Sequence, residues 1–510
     1  MSSSAQKLSL NALIALVVGS MIGAGVFSLP ATFARATGVA GALIAWTIAG
    51  TGMLMLAFVF QTLAQRKPDL DSGVFSYAQA GFGNYMGFAA ALGFWAGSCV
   101  GNVSYFVLIK STLGGFFPDI FGDGNTVTAV VISSMILWGF HVLILRGVKE
   151  AATINTIATI AKIVPIGIFL LVALFNFKTG IFSDNFLGYF AAAITPSDDL
   201  LLHLNDYGHL GHAEAELIRE AVATPTESLF SQVRGTMLVT VFVFLGIEGA
   251  SVYSRYAKDR KDVGVATVLG FLGVLLTFVL ITLLSYGVMT RAELAGLRQP
   301  SMALVLERMV GAWGAIFISV GLIISVLGAY LSWTLLAAEV LFSAAKSKVF
   351  PAALTRENEN QVPAAALWLT NIFIQGFLIL TYFVADAFTL ALELTSALSL
   401  IPYFLVAAYG VKLASTAETY NINPENRNKD LIIACIATFY SALMLYSGGM
   451  KYILLAALIY APTSLLFFKA RQEQKLPIFA TAFEKATFGV IVVGAVVAIY
   501  SIATGLIRLQ

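Results

Sequence analysis

Charged side chains are scarce in this sequence. Only 11% of its 510 residues are Asp, Glu, Lys or Arg, whereas 58% are hydrophobic. Since a soluble globular domain carries about 25% charged residues, a soluble fold is excluded. Cysteine is scarcer still: Cys99 and Cys435 both lie in apolar segments, which argues against a disulfide framework. The composition predicts an all-α membrane protein that crosses the bilayer many times.

Motifs for covalent chemistry and for nucleic-acid binding are also missing. We find no nucleophile–base pair, no phosphate-cradling Gly-Lys-Ser/Thr loop, no metal-ligand motif and no basic stretch with interleaved aromatic residues. The sequence therefore predicts a protein that is not an enzyme, has no cofactor and does not bind nucleic acid. The N-terminus has no cleavable signal pattern, so the apolar run from Leu13 is predicted to be a first transmembrane helix.

Apolar windows of about 20 residues, long enough to span the hydrocarbon core of a bilayer, recur along the whole chain. They predict thirteen membrane-spanning helices, at approximately 11–34, 39–64, 86–112, 125–145, 152–176, 235–254, 264–289, 312–340, 364–384, 388–412, 430–447, 452–469 and 485–507.

The distribution of lysine and arginine predicts the orientation in the membrane. Most basic residues fall in connections that share one side with the N-terminus. Since loops rich in Lys and Arg stay in the cytoplasm, the N-terminus is predicted to be cytoplasmic and, after an odd number of spans, the C-terminus extracytoplasmic. The predicted location is the bacterial cytoplasmic (inner) membrane.

The longest predicted connection, residues 178–234, lies on the outer side and is rich in Asp and Glu. His203, His209 and His212 fall close to Asp206 in this loop. These side chains offer a possible metal site, but their spacing fixes no ligand geometry, so we predict a solvated loop. An acidic mouth would raise the local concentration of cations.

Two predicted spans carry glycine-rich interruptions. The first span contains "GSMIGAGVF" at 19–27, and the sixth contains "FLGIEGAS" at 244–251, with Glu248 in its apolar middle. Glycines can instead serve close helix packing, for which they recur every four residues. Gly19 and Gly23 are four residues apart, but Gly25 and then Pro30 do not keep that spacing, so we predict broken helices.

Broken helices in corresponding positions of two repeats are the best sequence pointer to a transporter binding site. The free N–H groups and positive dipole at the beginning of a half-helix attract an anion. Carbonyl groups freed at the break accept hydrogen bonds from an ammonium group. The pair of breaks therefore predicts a receptor for the carboxylate and amine of an amino acid.

These stretches resemble the amino acid–polyamine–organocation superfamily, which carries a Gly-x-Gly break in helix one and a Gly-x-Glu break in helix six. The resemblance extends over nearly the whole chain. "DSGVFSYAQAGFG" (71–83), the Gly101-Asn102 pair, "GIEGASVYSRYAKDRKDVG" (246–264) and "SWTLLAAEVLFSAAKSKVFP" (332–351) are similar to segments of its basic amino acid/polyamine antiporters, and closest to the arginine/ornithine exchangers. Thirteen helices also suit that subgroup.

The resemblance implies the five-plus-five inverted-repeat fold in one transporter domain, 1–510. The first repeat would occupy 11–176 and the second 235–412, with the loop 178–234 between them and additional helices over 430–507. Substrate would be held halfway across the membrane between helices one, three, six, eight and ten.

The family's binding residues carry over to positions in both broken spans and in helices three, eight and ten. The carboxylate would meet N–H groups near Gly23, Ala24 and Gly25; Ala24 replaces a serine of the arginine/agmatine exchangers, so one hydroxyl contact is missing. The remaining implied contacts are carbonyls around Met21, Ile22 and Leu245 for the amine, Asn102 and Trp333 for the cationic side chain, Thr395 on the substrate side, and Phe242 as an aromatic gate. Helix packing and interhelical hydrogen bonding are alternative roles for Trp333 and Asn102.

Three ionisable residues lie within predicted spans, where buried charge indicates function. By resemblance, Glu248 couples gating or protonation to substrate passage. Glu393 either faces the pocket and pairs with the substrate's distal cation, or lies in the outer vestibule beside Asp386. Lys162 resembles the helix-five lysine that, in members needing no sodium, reaches the place of the ion between helices one and eight. We therefore predict sodium-independent transport.

The predicted function is exchange of cationic amino acids, arginine for ornithine, by alternating access, with a homodimer possible. The alternatives are lysine/cadaverine, ornithine/putrescine or histidine/histamine exchange, proton-coupled uptake, and a membrane-bound amino-acid sensor. A sensor needs a cytoplasmic output domain, and the predicted cytoplasmic segments are short.

Overall fold

The computed structural model describes residues 9–70, 73–147, 151–187, 228–248, 260–421 and 423–507. Within these ranges the chain forms helices and no β-strand, as the composition predicts. The histidines of the acidic loop and residues 249–259, at the end of the sixth predicted span, lie outside the described residues.

The first half of the chain contains nine described α-helices. They are α1 (Leu10–Met21), α2 (Leu29–Ala36), α3 (Val39–Arg66), α4 (Val74–Phe82), α5 (Asn84–Gly114), α6 (Pro118–Phe121), α7 (Val127–Leu145), α8 (Ala151–Phe175) and α9 (Thr179–Asp184). A 3-10 helix, Ala24–Ser28, joins α1 to α2.

The second half continues with ten described α-helices. They are α10 (Leu229–Val243), α11 (Arg260–Val288), α12 (Arg291–Ala295), α13 (Ser301–Val310), α14 (Ala312–Lys346), α15 (Ala364–Leu380), α16 (Ala387–Thr416), α17 (Arg427–Ser447), α18 (Gly449–Glu473) and α19 (Ala482–Ala503). Short 3-10 helices occur at Ala352–Thr355, Thr381–Phe383 and Pro424–Asn426.

Eleven described helices are long and apolar enough to cross a membrane, or twelve when the bent α1–α2 pair counts as one span. The sixth predicted span corresponds to the shorter helix α10, which begins at Leu229 rather than at residue 235. The earlier start has a local cause, because the Ser228 side chain accepts a hydrogen bond from the Ser231 N–H and caps the helix.

Helix α5 forms the centre of the bundle, and its apolar window is completely buried. Small residues allow α16 to approach it closely. A Cβ atom at Gly97 would lie 2.7 Å from Ser399 Oγ, and one at Gly93 would lie 2.8 Å from the Leu398 carbonyl oxygen. Because two helices can come this close only where side chains are absent, these glycines bring the polar residues of both helices to one shared face.

Helix α19 lies at the periphery, with only 17% of its apolar window buried, but its first turn is fixed to the beginning of α5. Glu484 Oε1 accepts a hydrogen bond from the Tyr85 N–H at 3.0 Å, and Oε2 accepts one from the Ala480 N–H at 2.7 Å. One carboxylate therefore satisfies donors from two segments, including an N–H group in the first turn of α5.

Candidate functional site

The first membrane span is broken where its glycines predict it. Helices α1 and α2 are bent by 50° at a short break, and the 3-10 helix begins at Ala24. Pro30 follows in the first turn of α2, a position where its missing N–H group costs no hydrogen bond. The break leaves the first N–H groups of the 3-10 helix, beginning at Ala24, without partners inside that helix.

The helix of the sixth span ends beside the break in the first span. Helix α10 ends at Val243, and a turn covers 244–248. Gly246 has φ +102°, and a Cβ atom there would lie 2.7 Å from the Ser20 carbonyl oxygen. Ser20 Oγ also donates a hydrogen bond to the Gly246 carbonyl oxygen at 3.0 Å. The two breaks therefore touch each other, and only glycine fits at their contact.

A small cavity lies at this contact, with a volume of about 30 Å³. That space is comparable with one water molecule, so the site is contracted. Ten of the thirteen residues that the sequence implicates line this cavity: Met21, Gly23, Ala24, Gly25, Asn102, Phe242, Leu245, Glu248, Trp333 and Thr395. Residues that are nearly 400 positions apart in the sequence thus meet at one cavity.

A much larger cavity, of about 600 Å³, begins beside the small one and extends to one face of the bundle. Ser20, Gly23, Phe94, Glu248 and Trp333 line both cavities. The larger cavity reaches residues at the ends of helices on that face, such as Glu339, Val362, Pro363, Gly73 and Val74. We call this face, to which the connection 347–363 belongs, the open side.

The opposite face, which we call the closed side, is sealed by α12, α13 and the connection between them. Arg291 Nε donates to the Ala34 carbonyl oxygen at 2.8 Å, and Arg35 Nε donates to the Ala295 carbonyl oxygen at 2.9 Å. Ser301 Oγ donates to the Ser28 carbonyl oxygen and accepts from the Ala31 N–H, both at 3.1 Å. Arg35 also lies 3.8 Å from Asp386 on α16.

Asn102 presents an acceptor to the small cavity. Its Nδ2 donates to Thr334 Oγ1 at 3.1 Å, whereas its buried Oδ1 has no hydrogen-bond partner among the residues that the structure describes. The buried Thr395 Oγ1 is likewise without a partner in the described part of the chain. Trp333 is half-buried, and its ring centroid lies 6.4 Å from that of Phe94. These groups can receive a cation, since amide oxygens accept hydrogen bonds and an indole face attracts positive charge.

Glu248 is buried between the two breaks. Its Oε2 accepts a hydrogen bond from the Gly246 N–H at 3.2 Å and another from the Tyr403 hydroxyl group at 2.5 Å. The carboxylate therefore links the turn after α10 to α16. Because these donors belong to different elements, a large movement of α16 against the sixth span would lengthen the Tyr403 bond.

Lys162 on α8 reaches the break in the first span. Its Nζ atom donates to the Gly19 carbonyl oxygen at 2.6 Å and to the Ile22 carbonyl oxygen at 2.8 Å. Lys162 and Ile22 line the larger cavity and not the small one. The Ile22 carbonyl oxygen thus already accepts a hydrogen bond from the lysine ammonium group and does not line the small cavity, so its contact with the substrate amine stays a prediction.

Glu393 does not line either of the two cavities formed by the described residues. Its side chain lies near Tyr452 and Lys451 on α18 and near Asp386. The structure therefore does not support the role in which Glu393 pairs with a substrate cation in the pocket, whereas the alternative position beside Asp386 stays a prediction. The orientation of α16, which points Thr395, Ser399 and Tyr403 at the cavity, directs Glu393 away from it.

Several cavity residues were missed by the sequence analysis, although their spacing contains a signal. Thr395, Ser399 and Tyr403 are four residues apart on α16, and Phe94, Ser98 and Tyr105 recur at helical spacing on α5. Residues three or four apart share one face of a helix. Because the sequence already implicates Thr395 and Asn102, the other polar residues on the same two helix faces could have been predicted to line the cavity. Clusters able to hold a metal do not occur within the described ranges.

Comparisons with known proteins match nearly the whole chain. The sequence model of a family described as "Amino acid permease" matches residues 8–465. An arginine/ornithine antiporter of Pseudomonas aeruginosa is 52% identical to this chain over 99% of both proteins. A putative arginine/ornithine antiporter of Escherichia coli (strain K12) is 40% identical over 96% of this chain and 98% of its own length. An arginine/agmatine antiporter of Chlamydia abortus is 36% identical over 100% of this chain and 99% of its own.

Proposed function

The chain belongs to the amino acid permease family, and on that basis we propose that it is an antiporter that exchanges cationic amino acids, arginine for ornithine, across the bacterial inner membrane. The observation that carries the proposal is the small cavity, in which two broken spans meet beside the unpartnered Asn102 oxygen. Full-length similarity to an arginine/ornithine antiporter supports the choice of substrates.

The backbone of the substrate would be held by the first span. Its carboxylate would accept hydrogen bonds from N–H groups near Gly23, Ala24 and Gly25, where the beginning of the 3-10 helix offers free donors. Its ammonium group would donate to carbonyl oxygens around Met21 and Leu245, both of which line the cavity. The Ile22 carbonyl oxygen accepts a hydrogen bond from Lys162 and can accept a second one from the substrate's ammonium group.

The cationic side chain would lie between Asn102 and Trp333. A guanidinium or ammonium group can donate to Asn102 Oδ1 and at the same time contact the indole face, an interaction worth about 0.5–2 kcal/mol. Phe242, which packs against the backbone at Gly25, is placed to close the site as an aromatic gate. The contracted cavity must widen to admit a substrate of this length.

Transport would proceed by alternating access around this site. The described conformation is open on one side and closed on the other, as an exchanger must be at each half of its cycle. Opening the closed side requires α12 and α13 to release α2, and closing the open side requires the large cavity to collapse. The Glu248–Tyr403 hydrogen bond, which joins two moving elements, is our candidate for coupling substrate binding to this change.

Exchange is proposed to be independent of sodium. The Lys162 ammonium group occupies carbonyl oxygens at the break of the first span. A fixed positive charge at this point supplies the hydrogen bonds and charge that a bound cation would bring.

Counterflow in proteoliposomes tests the proposal. Vesicles are preloaded in turn with ornithine, agmatine, lysine, histidine, glutamate or buffer, and the initial uptake of labelled arginine is measured with sodium or choline as the external cation. We expect ornithine to accelerate uptake most, with equal rates in both salts. Acceleration by glutamate would overturn the substrate class, and a sodium requirement would overturn the role of Lys162.

The same measurement separates the alternative functions. A proton-coupled uptake system would respond to an imposed pH gradient and would not need an internal substrate. A sensor would bind arginine without flux. The other basic amino acid or amine exchangers would be identified by the internal substrate that accelerates uptake most.

The placement in the membrane remains part of the proposal. We propose that the open side faces the cytoplasm together with the N-terminus, and that the C-terminus is extracytoplasmic. We also propose a single transporter domain built from two inverted repeats, 11–176 and 235–412, which carries out no covalent reaction.

A further inference from the structure

Tyr105 on α5 brings a phenolic hydroxyl group to the break in the first span. A Cβ atom at Gly23 would lie 3.4 Å from this hydroxyl oxygen, at van der Waals contact. Both residues line the small cavity, and Tyr105 is only 6% exposed. The hydroxyl group forms no hydrogen bond within the described part of the chain. It therefore stands beside the break as a donor that the protein itself does not use.

Helix α5 determines where this hydroxyl group lies. Tyr105 follows Asn102 by three residues, so both side chains lie on one face of the helix. The apolar window of α5 is completely buried, which holds that face in place against the neighbouring helices. Asn102 would receive the cationic end of the substrate, whereas the Tyr105 hydroxyl group lies beside Gly23, where the substrate backbone would bind.

The other hydroxyl groups of the small cavity are engaged or lie on another helix. Ser20 and Ser98 donate to backbone carbonyl oxygens, and Tyr403 donates to the Glu248 carboxylate. Thr395 and Ser399 belong to α16 and pack against glycines of α5. Of the hydroxyl groups that line this cavity, the one beside Gly23 with a hydrogen free to donate within the described residues is therefore that of Tyr105.

The place proposed for the substrate carboxylate has backbone donors but no side-chain donor from its own residues. Ala24 lines the cavity with a methyl group, which forms no hydrogen bond. A carboxylate offers about four lone-pair sites on its two oxygens, so N–H groups near Gly23, Ala24 and Gly25 leave acceptor sites open. A hydroxyl group that donates to a carboxylate forms a bond roughly twice as strong as one between neutral groups.

We propose that the Tyr105 hydroxyl group donates a hydrogen bond to the carboxylate of the substrate and thereby supplies the side-chain donor that Ala24 cannot provide. The inference deepens the proposed function and rests on it. The carboxylate would lie between the break in the first span and α5. Amino acids gain this contact, whereas the amines that remain after their decarboxylation do not.

Arginine and agmatine separate this contact from other roles of Tyr105, because agmatine keeps the amine and the guanidinium group and lacks only the carboxylate. The KM for external arginine is measured by exchange against internal ornithine in proteoliposomes. Agmatine is added as a competitor, and its inhibition constant is determined. Tyr105→Phe removes the hydroxyl group and keeps the ring. The double variant Tyr105→Phe/Ala24→Ser offers a hydroxyl group from the first span instead.

Tyr440→Phe is the matched control. Tyr440 on α17 is 3% exposed, and its hydroxyl group is buried without a partner in the part of the chain that the structure describes. It lines neither the small nor the large cavity. This substitution therefore removes the same atom from an equally buried ring, away from the site, and should change neither constant.

In Tyr105→Phe, we expect the KM for arginine to rise about tenfold, as for the loss of one hydrogen bond to a charged group. The inhibition constant of agmatine should change less than about twofold, because agmatine has no carboxylate to lose the bond. Adding Ala24→Ser should lower the arginine KM of Tyr105→Phe again by about threefold or more.

Two results would overturn the inference. An unchanged arginine KM in Tyr105→Phe would show that the hydroxyl group does not bind substrate. Equal losses for arginine and agmatine would assign it to the cationic groups or to packing. If agmatine does not inhibit the starting protein, the double variant decides: a lowered arginine KM supports the carboxylate contact, and an unchanged one overturns it. If the starting protein exchanges no arginine for ornithine, the proposed function itself fails, and that result precedes every variant.

Discussion

The two ends of the substrate site are built in different ways. On the closed side, short helices α12 and α13 contact α2 through arginine and serine side chains that bind backbone carbonyl oxygens. On the open side, the helices diverge around a cavity of about 600 Å³. The closed side is thus held by a few separate polar contacts, each of which can be exchanged for water. The helices α5 and α16 between the two sides are instead packed closely at Gly93 and Gly97.

This difference indicates how the site can change the side on which it opens. Polar contacts to backbone groups contribute about 1 kcal/mol each, because water replaces them when they break. A seal made from several of them is stable enough to exclude solvent and weak enough to open during transport. The contact between Ser20 and Gly246 joins the first and sixth spans, and we expect it to act as the pivot of this change.

The largest effect is expected at this pivot. In Gly246→Ala, the new Cβ atom would lie 2.7 Å from the Ser20 carbonyl oxygen at a φ of +102°. A strain of about 3 kcal/mol would lower exchange on the order of 100-fold. Gly311→Ala is the control, because Gly311 also has a positive φ (+85°) but no described atom within 4 Å. Arginine/ornithine counterflow measures both variants; equal losses would assign the effect to backbone conformation alone.

The next comparison is between two buried lysines, Lys162 towards the open side and Lys110 towards the closed side. Lys162→Met removes the donor to the Gly19 and Ile22 carbonyl oxygens, and we expect exchange to fall about 30-fold, as two buried acceptors lose their partner. Lys110→Met removes a lysine that is equally buried on α5 but donates to Thr381 near the closed side.

The Lys110→Met variant should exchange arginine within about threefold of the unaltered protein, because its partner is a single hydroxyl group outside the site. Rates are compared in sodium and in choline medium after matching the amount of folded protein. A similar loss in both variants would show that any buried lysine is needed, and would remove the special role of Lys162.

The seal itself can be loosened by a single substitution. After replacing Cys435 with serine, cysteines introduced as Ser332→Cys in the open cavity and Ser28→Cys beneath the closed side report the access of a water-soluble maleimide. Arg291→Met, which removes contacts to the carbonyl oxygens of α2, should raise labelling at position 28 about fivefold, as for the loss of about 1 kcal/mol. Unchanged labelling at position 28 would mean that Arg291 does not hold the seal.

The smallest effect is expected for Glu393→Gln. Glu393 lies near Tyr452 on α18 and away from both cavities, so exchange should stay within about twofold of the unaltered rate. Glu248→Gln, whose carboxylate lies between the breaks, should reduce exchange more. If Glu393→Gln were the more damaging of the two, the substrate would be contacting α16 on a face that the described conformation keeps from the cavity.

The sequence was most informative where a local pattern has a local consequence. Glycine spacing predicts the break between Met21 and Ala24, and long apolar windows predict the spans, because both depend on a few neighbouring residues. The start of α10 was misplaced because a single serine cap outweighs the hydropathy average. Boundaries depend on such individual hydrogen bonds more than on composition.

Features that depend on the rotation of one helix against another could not be predicted from the sequence. Whether Glu393 faces the cavity is determined by the packing of α16 against α5 through Gly93 and Gly97. The capture of the Ile22 carbonyl by Lys162 and the bond between Asn102 and Thr334 join residues more than 100 positions apart. No periodicity within one helix contains that information.

The carboxylate of Glu484 has a practical consequence for handling the protein. It connects a peripheral helix to the Tyr85 N–H at the beginning of α5, the helix that carries Asn102. A truncation that deletes α19 would leave that amide without its acceptor and disturb the frame that supports the site. A fluorescent reporter fused after Ala503 would preserve it, so shortened versions of the chain should end beyond that residue.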